Sequence, residues 1–241
     1  MPLDDLVSSL SLRHRVEEAR IAINIAHSEQ RLSKIALVSS FGAEAAVLLH
    51  LVATTQPDMP VLFLDTGKHF AETLSYQKEL SRDLGLRDLR VIKPDGQNLA
   101  KEDPYGALHT FDTSACCGLR KVAPLKNALK EFDGWITGRK RYQGGIRKSL
   151  EVFEGDEATG KLKINPLAHW SLEDMRAYAQ SHSLPPHPLL AEGYLSIGCA
   201  PCTNRTDDTD DPRAGRWAGQ DKSECGIHVP SALNTTESTL S

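Results

Sequence analysis

The 241-residue sequence predicts an α/β domain, an open and mostly parallel sheet with helices on both faces. Two observations carry that expectation. Short, almost wholly apolar runs recur along the chain, as strands buried on both faces require. Between them lie segments with apolar residues at helical spacing, joined by turns of Gly, Pro, Ser and Asp.

Taken in order, residues 4–30 read as one or two helices, with Val16, Ala19, Ile23 and Ala26 at helical spacing. KIALVSS (34–40) is a buried strand, and FGAEAAVLLHLVA (41–53) turns helical after Gly42. VLFLDTG (61–67) is a second strand with its turn, followed by a helix over 70–85 that Gly85 stops. DLRVIKPDG (88–96) is a third strand, ended by Pro94 and Gly96. A helix over 119–132 contains Pro124, which suits a first turn or a kink better than a straight interior. GWITG (134–138) is a fourth strand, and residues 150–165 read as a hairpin. The helix over 171–182 opens on Ser171 with Asp174 three residues on, a capping-box variant. After Cys202 the chain becomes polar and poor in aliphatics. The expected organisation is a domain over 1–205 and a mobile tail over 206–241.

Composition narrows the function classes. Apolar residues make up 40% and charged residues 25%, ordinary for a globular protein. A net charge of -4 disfavours a general nucleic-acid or membrane-surface binder. No apolar run is long enough for a membrane span, and the charged N-terminus lacks a signal core, so the expected location is cytoplasmic. The sequence leaves the oligomeric state open, a homo-oligomer included.

In open α/β sheets ligands bind beyond the carboxyl ends of the strands. The four segments there are SSFGAE (39–44), DTGKHF (65–70), KPDGQN (93–98) and TGRKRYQGGIRK (137–148). The first runs from strand into helix, where free backbone N–H groups and the helix dipole favour an anion. The fourth gathers Arg139, Lys140, Arg141, Arg147 and Lys148. Together they describe a pocket for a phosphorylated ligand, with Ser40, Gly42, Asp65, Gly67 and Arg139 as candidate contacts. Neither GxxxxGK[ST] nor GxGxxG occurs, which sets aside an ordinary ATPase or dehydrogenase.

The five cysteines fall into three groups: Cys116 with Cys117, Cys199 with Cys202, and Cys225 alone. A set of four thiolates suits zinc or an iron–sulfur cluster, although two adjacent ligands argue against a plain zinc ribbon. A C-x-x-C pair by itself also suits a redox dithiol. Arg120 and Lys121 follow the first pair closely and supply positive charge for a cluster or an anionic substrate. Cys225 sits near Lys222 and His228, cations or potential cations that help a nucleophilic thiol ionise.

SSFGAE, LDTGKHF, CCGLRK, TGRKRYQGGIR, HPLLAEGYLSIGCAPCT, RAGRW and KSECGIH together resemble the assimilatory adenylyl-sulfate (APS) reductases, the thioredoxin-dependent type, over roughly residues 35–230. The resemblance implies an adenine-nucleotide α-hydrolase-like fold. It implies a [4Fe–4S] cluster on Cys116, Cys117, Cys199 and Cys202. It implies that Cys225 attacks the substrate sulfur, forming a thiosulfonate that thioredoxin or a glutaredoxin-like donor reduces, with sulfite and AMP as products. Lys121 and His228 match family positions at the reaction centre, and Arg120, Arg213 and Arg216 match positions that hold the anionic substrate. SSFGAE lacks the SGG-x-D-S pattern of ATP-using relatives, which fits a protein that does not cleave ATP. The competing readings are a phosphoadenylyl-sulfate (PAPS) reductase, a tRNA-thiolating enzyme, and a four-cysteine metal-binding redox sensor. The missing SGG-x-D-S and the acidic net charge count against the second of these.

Overall fold

In the computed structural model the described residues are 3–157, 159–208, 211–220, 222 and 224–228. Six strands form one sheet in the order β3-β2-β1-β4-β6-β5. β1 (Ile35–Ser39), β2 (Val61–Leu64), β3 (Leu89–Ile92), β4 (Gly134–Ile136) and β6 (Lys161–Ile164) run parallel. β5 (Phe153–Asp156) is antiparallel on the edge, paired to β6 as the expected hairpin. β1 and β2 are buried along their whole length because helices cover both faces, and this is why they read as continuous apolar runs.

The pleat of β1 divides the core. Leu37 joins Ile23, Leu49, Phe63 and Ile136 under α1 (Leu3–Ser28), α2 (Ala45–Thr55) and α7 (Leu172–Ser181). Ala36 and Val38 face the other way, onto Leu125, Leu129 and Trp135. α3 (Ala71–Asp83) covers the β2 side, burying Tyr76 and Leu80. The α7 capping box forms as expected: Asp174 N–H donates to Ser171 Oγ at 3.0 Å and Ser171 N–H to Asp174 Oδ2 at 2.8 Å.

The sheet grows from β1 to β2 and β3 on one side, then returns to β4 on the other. The resulting switch point opens a crevice beyond the carboxyl ends of β1 and β4. Two short helices escaped the sequence reading. α4 (Gly96–Glu102) is capped by Asp95, which accepts from Asn98 N–H at 2.9 Å. α5 (Thr113–Cys117) is capped by Asp112, which accepts from Ala115 N–H at 2.8 Å. α5 passes through a π-helical turn, Gly118–Val122, into α6 (Ala123–Ala128), with Pro124 at the start of the latter. The widened turn accommodates the proline and keeps the cysteine pair and Lys121 on one continuous rod.

The described part of the segment after residue 205 makes contacts with the rest of the domain. Asn204 N–H donates to the Gly215 carbonyl at 2.7 Å, and Thr203 bridges Arg216 in antiparallel fashion. Trp217 and Glu224 are each 5% exposed. One tryptophan and buried ion pairs, rather than aliphatic side chains, hold this segment. Residues 229–241 of the expected tail lie outside the described residues. Among the described residues no helix is long and apolar enough to cross a membrane.

Candidate active site

A cleft partly open to solvent occupies the crevice. Ser40, Gly42 and Glu44 of the first loop line it, with Thr137 to Lys140, Gln143 and Arg147 of the fourth. The 195–198 segment forms another wall, and an added Cβ on Gly42 would stand 2.7 Å from the Ile197 carbonyl oxygen. Only glycine permits that approach.

Six cations line the cleft: Lys121, Arg139, Lys140, Arg147, Arg213 and Arg216. Among the described residues the only carboxylates there are Glu44 and Glu224. In a chain of net charge -4 this concentration marks an anion site. Each inner cation is oriented from behind or beside. Arg139 donates to Glu154 at 2.6 Å and Lys140 to Glu44 at 2.5 Å. Arg147 grips Glu224 through two hydrogen bonds of 2.5 and 2.8 Å, and Arg213 reaches the same carboxylate at 3.3 Å. Arg216 lies 4.4 Å over the Trp217 ring and donates to the Cys202 carbonyl at 3.1 Å. Burial lowers the pKa of Arg139, Lys140 and Arg216, and burial with Arg147 close by pushes Arg213 down to about 10. These groups are crowded in a way that a bound anion relieves.

Cys225 enters this cleft from the C-terminal segment. Its Sγ lies 3.8 Å from Lys121 Nζ and 3.6 Å from Cys117 Sγ. The Cys117 thiol holds the Cys225 pKa well below the ordinary range; Lys121, the Ile227 N–H and Arg216 add to this, against burial. Although burial opposes its charge, Lys121 is held above its ordinary pKa by the thiols of Cys225, Cys199 and Cys117. His228 closes the turn after the cysteine, its N–H donating to the Cys225 carbonyl at 2.9 Å, and its ring stacks on Trp135. Burial and the surrounding cations keep its imidazole neutral, and Nδ1 has no partner among the described residues.

A second, smaller cavity adjoins the first. Cys116, Cys117, Cys199 and Cys202 all line it, and Lys121, Arg216 and Cys225 belong to both. All five cysteines are free thiols. Thr66 Oγ1 lies 3.2 Å from Cys199 Sγ, and His69 pairs with Cys199 across a backbone bridge, so the 65–70 loop braces the C-x-x-C turn. Among the described residues no three His, Cys, Asp or Glu side chains close around a point as ligands of a single ion do.

Three sequence candidates stand outside the cleft. Asp65 Oδ1 accepts from Gly67 N–H at 3.0 Å, and Gly67 has φ +67, so the two build a turn and do not line the pocket. Arg120 is buried in a double contact with Asp103, at 2.6 and 3.2 Å, and donates to the Thr66 carbonyl at 2.8 Å. It ties the Thr66 loop to the cysteine-bearing rod. KPDGQN leads into α4 and does not reach the cleft. The candidate contacts omitted Glu44, His69, Lys140, Arg147 and Glu224, all of which line it. The cluster of basic residues in TGRKRYQGGIRK signalled Lys140 and Arg147, whereas nothing in the sequence distinguished the two glutamates.

Residues 34–205 match the phosphoadenosine phosphosulfate reductase domain. The adenosine 5'-phosphosulfate reductase of Mesorhizobium japonicum is 49% identical over 227 residues, spanning 94% of this chain and 86% of that protein. That of a Chelativorans species is 47% identical over 236 residues, with coverage of 95% and 94%. Among solved structures, the PAPS reductase of Candida auris in its phosphate complex superposes with a TM-score of 0.65 at 26% identity, covering 78% of this chain and 94% of its own.

Proposed function

Since the chain belongs to the phosphoadenosine phosphosulfate reductase family, we propose that it reduces adenylyl sulfate to sulfite and AMP with two electrons from a thioredoxin-type dithiol. The step would serve sulfate assimilation and cysteine biosynthesis in the reducing cytoplasm. The observation that carries this reading is the Cys225 thiol, 3.8 Å from the Lys121 ammonium at the edge of a cleft lined by six cations.

The substrate's sulfate and phosphate bring negative charge. Arg139, Lys140, Arg147, Arg213 and Arg216 hold them, and His228 offers an uncharged hydrogen-bond partner. The Cys225 thiolate attacks the sulfur. The bond from that sulfur to the AMP phosphate oxygen breaks, and AMP leaves with the electron pair. Cys225 now carries an S-sulfo group. A donor thiolate then attacks Cys225 Sγ and expels sulfite, and the donor's second thiol resolves the mixed disulfide. Both electrons come from the dithiol. For the donor to reach Cys225, the segment after residue 205 acts as an arm that leaves the cleft.

Cys116, Cys117, Cys199 and Cys202 would hold a [4Fe–4S] cluster. The donor set fits, with four free thiols on one cavity and Arg120, Lys121 and Arg216 beside it to balance negative charge. When bound there, the cluster supplies a fixed negative charge that orients Lys121. Asp65, Gly67 and Arg120 act as positioning residues for the loop that braces this cavity.

Mass spectrometry of the protein mixed with APS and no donor tests the reading. The expected product is a sulfonate adduct on Cys225 that reduced thioredoxin removes and that Cys225→Ser lacks. An unmodified Cys225 after AMP release would refute it. Parallel turnover of APS and PAPS separates the two family substrates, with APS expected to be preferred.

A further inference from the structure

Lys163 and Asp156 carry charge into a sheet core. Lys163 on β6 is 5% exposed and Asp156 on β5 is 8% exposed, and neither lines the cleft. Their side chains stand 3.7 Å apart, and burial with Arg139 nearby lowers the Lys163 pKa to about 8. A buried ion pair of this kind adds little to stability, and apolar side chains of similar volume would hold the sheet as well. Both partners converge on one side chain. Asp156 Oδ2 accepts from Trp135 Nε1 at 3.1 Å, and Lys163 Nζ lies 4.6 Å from the centre of the Trp135 ring. Trp135 and Lys163 are register neighbours across β4 and β6. The indole is therefore fixed by charge as well as by packing.

The same indole meets the C-terminal segment. His228 stacks on it, with ring centres 5.9 Å apart and planes within 4° of parallel. Ile227 packs against the core layer that Trp135 shares with Leu125 and Leu129. Gly226 passes the π-helical turn so closely that an added Cβ would stand 3.1 Å from Val122 Cγ2. We propose that Trp135, held by Lys163 and Asp156, is the seat of the arm, a positioning residue that sets Cys225 beside Lys121 by stacking His228. The turn from Cys225 to His228 is closed by a backbone hydrogen bond of 2.9 Å, so the place of the ring fixes the place of the thiol. A single ring stack is a modest contact, suited to an arm that docks and leaves, provided the platform itself stays still. The buried ion pair supplies that stillness. The arm's departure rests on the proposed reaction; its seating on Trp135 does not.

The rate of Cys225 alkylation by iodoacetamide, read by mass spectrometry on the full chain, tests the seat without substrate. Trp135→Leu should raise that rate about tenfold, and Trp135→Phe, which keeps a stacking ring, should raise it much less. His228→Ala should match Trp135→Leu, and the double variant should go no further, because both remove one contact. Lys163→Met/Asp156→Asn should unfold near the parental temperature and still speed alkylation. Leu62→Ala is the control for a loosened core. Leu62 is 1% exposed in the same core layer and does not line the cleft, so Cys225 should stay as protected as in the parent. In a single turnover of APS, Trp135→Leu should slow formation of the S-sulfo adduct, while reduced thioredoxin removes a preformed adduct at the parental rate or faster. A general loss of structure would slow both. Parental alkylation rates in Trp135→Leu and His228→Ala overturn the proposal, as do additive effects of the two or an equal rise in Leu62→Ala. A parental rate in Lys163→Met/Asp156→Asn removes the ion pair from the seat. An adduct absent from the parental chain overturns the proposed reaction instead, and alkylation alone then decides the seat.

Discussion

Gly198→Ala separates binding from folding in this site. A Cβ at position 198 would lie 2.4 Å from Arg216 Nη2, 2.7 Å from its Cζ and 2.9 Å from Nη1. The obstructing atoms are the far end of a flexible side chain, so the guanidinium swings away and the backbone stays. Arg216 then gives up its seat 4.4 Å over the Trp217 ring and its hydrogen bond to the Cys202 carbonyl. Together these are worth about 1–2 kcal/mol of stability. The substrate loses one charge-assisted contact, about 1.5–3 kcal/mol, or a fall in kcat/KM of roughly 10- to 150-fold. Gly215→Ala is the contrasting variant. Its Cβ would stand 2.2 Å from the Asn204 backbone oxygen, which cannot rotate away. The 204–215 pairing must open, at a cost of about 3 kcal/mol or more. Sulfite release with APS and thioredoxin gives the first effect, and thermal unfolding gives the second. The reasoning fails if Gly198→Ala keeps full kcat/KM, or if it unfolds as readily as Gly215→Ala.

Three further outcomes follow from the same geometry. Lys121→Ala, which removes the ammonium 3.8 Å from Cys225, should lower turnover roughly a hundredfold and leave the visible absorbance of a cluster in place; turnover near the parental value would remove Lys121 from the reaction. Glu224→Gln weakens the clamp by Arg147 and Arg213, costing about 1–3 kcal/mol and raising the rate of Cys225 alkylation by iodoacetamide about tenfold or more. Burial works against the Glu224 charge, but Arg147 and Arg213 hold its pKa below the ordinary 4.5, so the clamp is intact above that pH and is lost as pH falls through the lower folded value. His187 is 1% exposed, hydrogen-bonded to Thr73 and the Leu189 N–H, and burial pushes it down to about 4. The unfolded chain takes up that proton first, so this contribution is complete above about pH 6.5 and shrinks by roughly 3 kcal/mol toward pH 4. Denaturation curves across that range should flatten in His187→Gln.

What the sequence revealed depended on how each segment earns its stability. β1, β2 and β4 are buried on both faces, and burial alone dictates an apolar run. The α7 cap was legible because Ser171 and Asp174 satisfy each other locally. α5 was not, because TSACC has no apolar period and its only local signal is Asp112. The basic loop announced an anion site by charge alone. Charge does not give direction, however, and Arg120 points at Asp103 while Arg147 points into the cleft.

Glu224 shows how a segment poor in aliphatic side chains can still dock. Aliphatic content measures only one way of holding a segment down. Here a carboxylate next to the nucleophile binds the arginines that, in the proposed reaction, bind the substrate's own negative charge. Arg147 and Arg213 lie together in the cleft, where a counter-charge favours both. The chain itself supplies that charge from the residue before Cys225, which also seats the thiol beside Lys121. An incoming anion competes with Glu224 for Arg147 and Arg213. In the proposed reaction, substrate binding and release of the arm toward its reductant would therefore draw on the same two guanidinium groups, and a segment that must both dock and leave is better held by ion pairs than by an apolar seam.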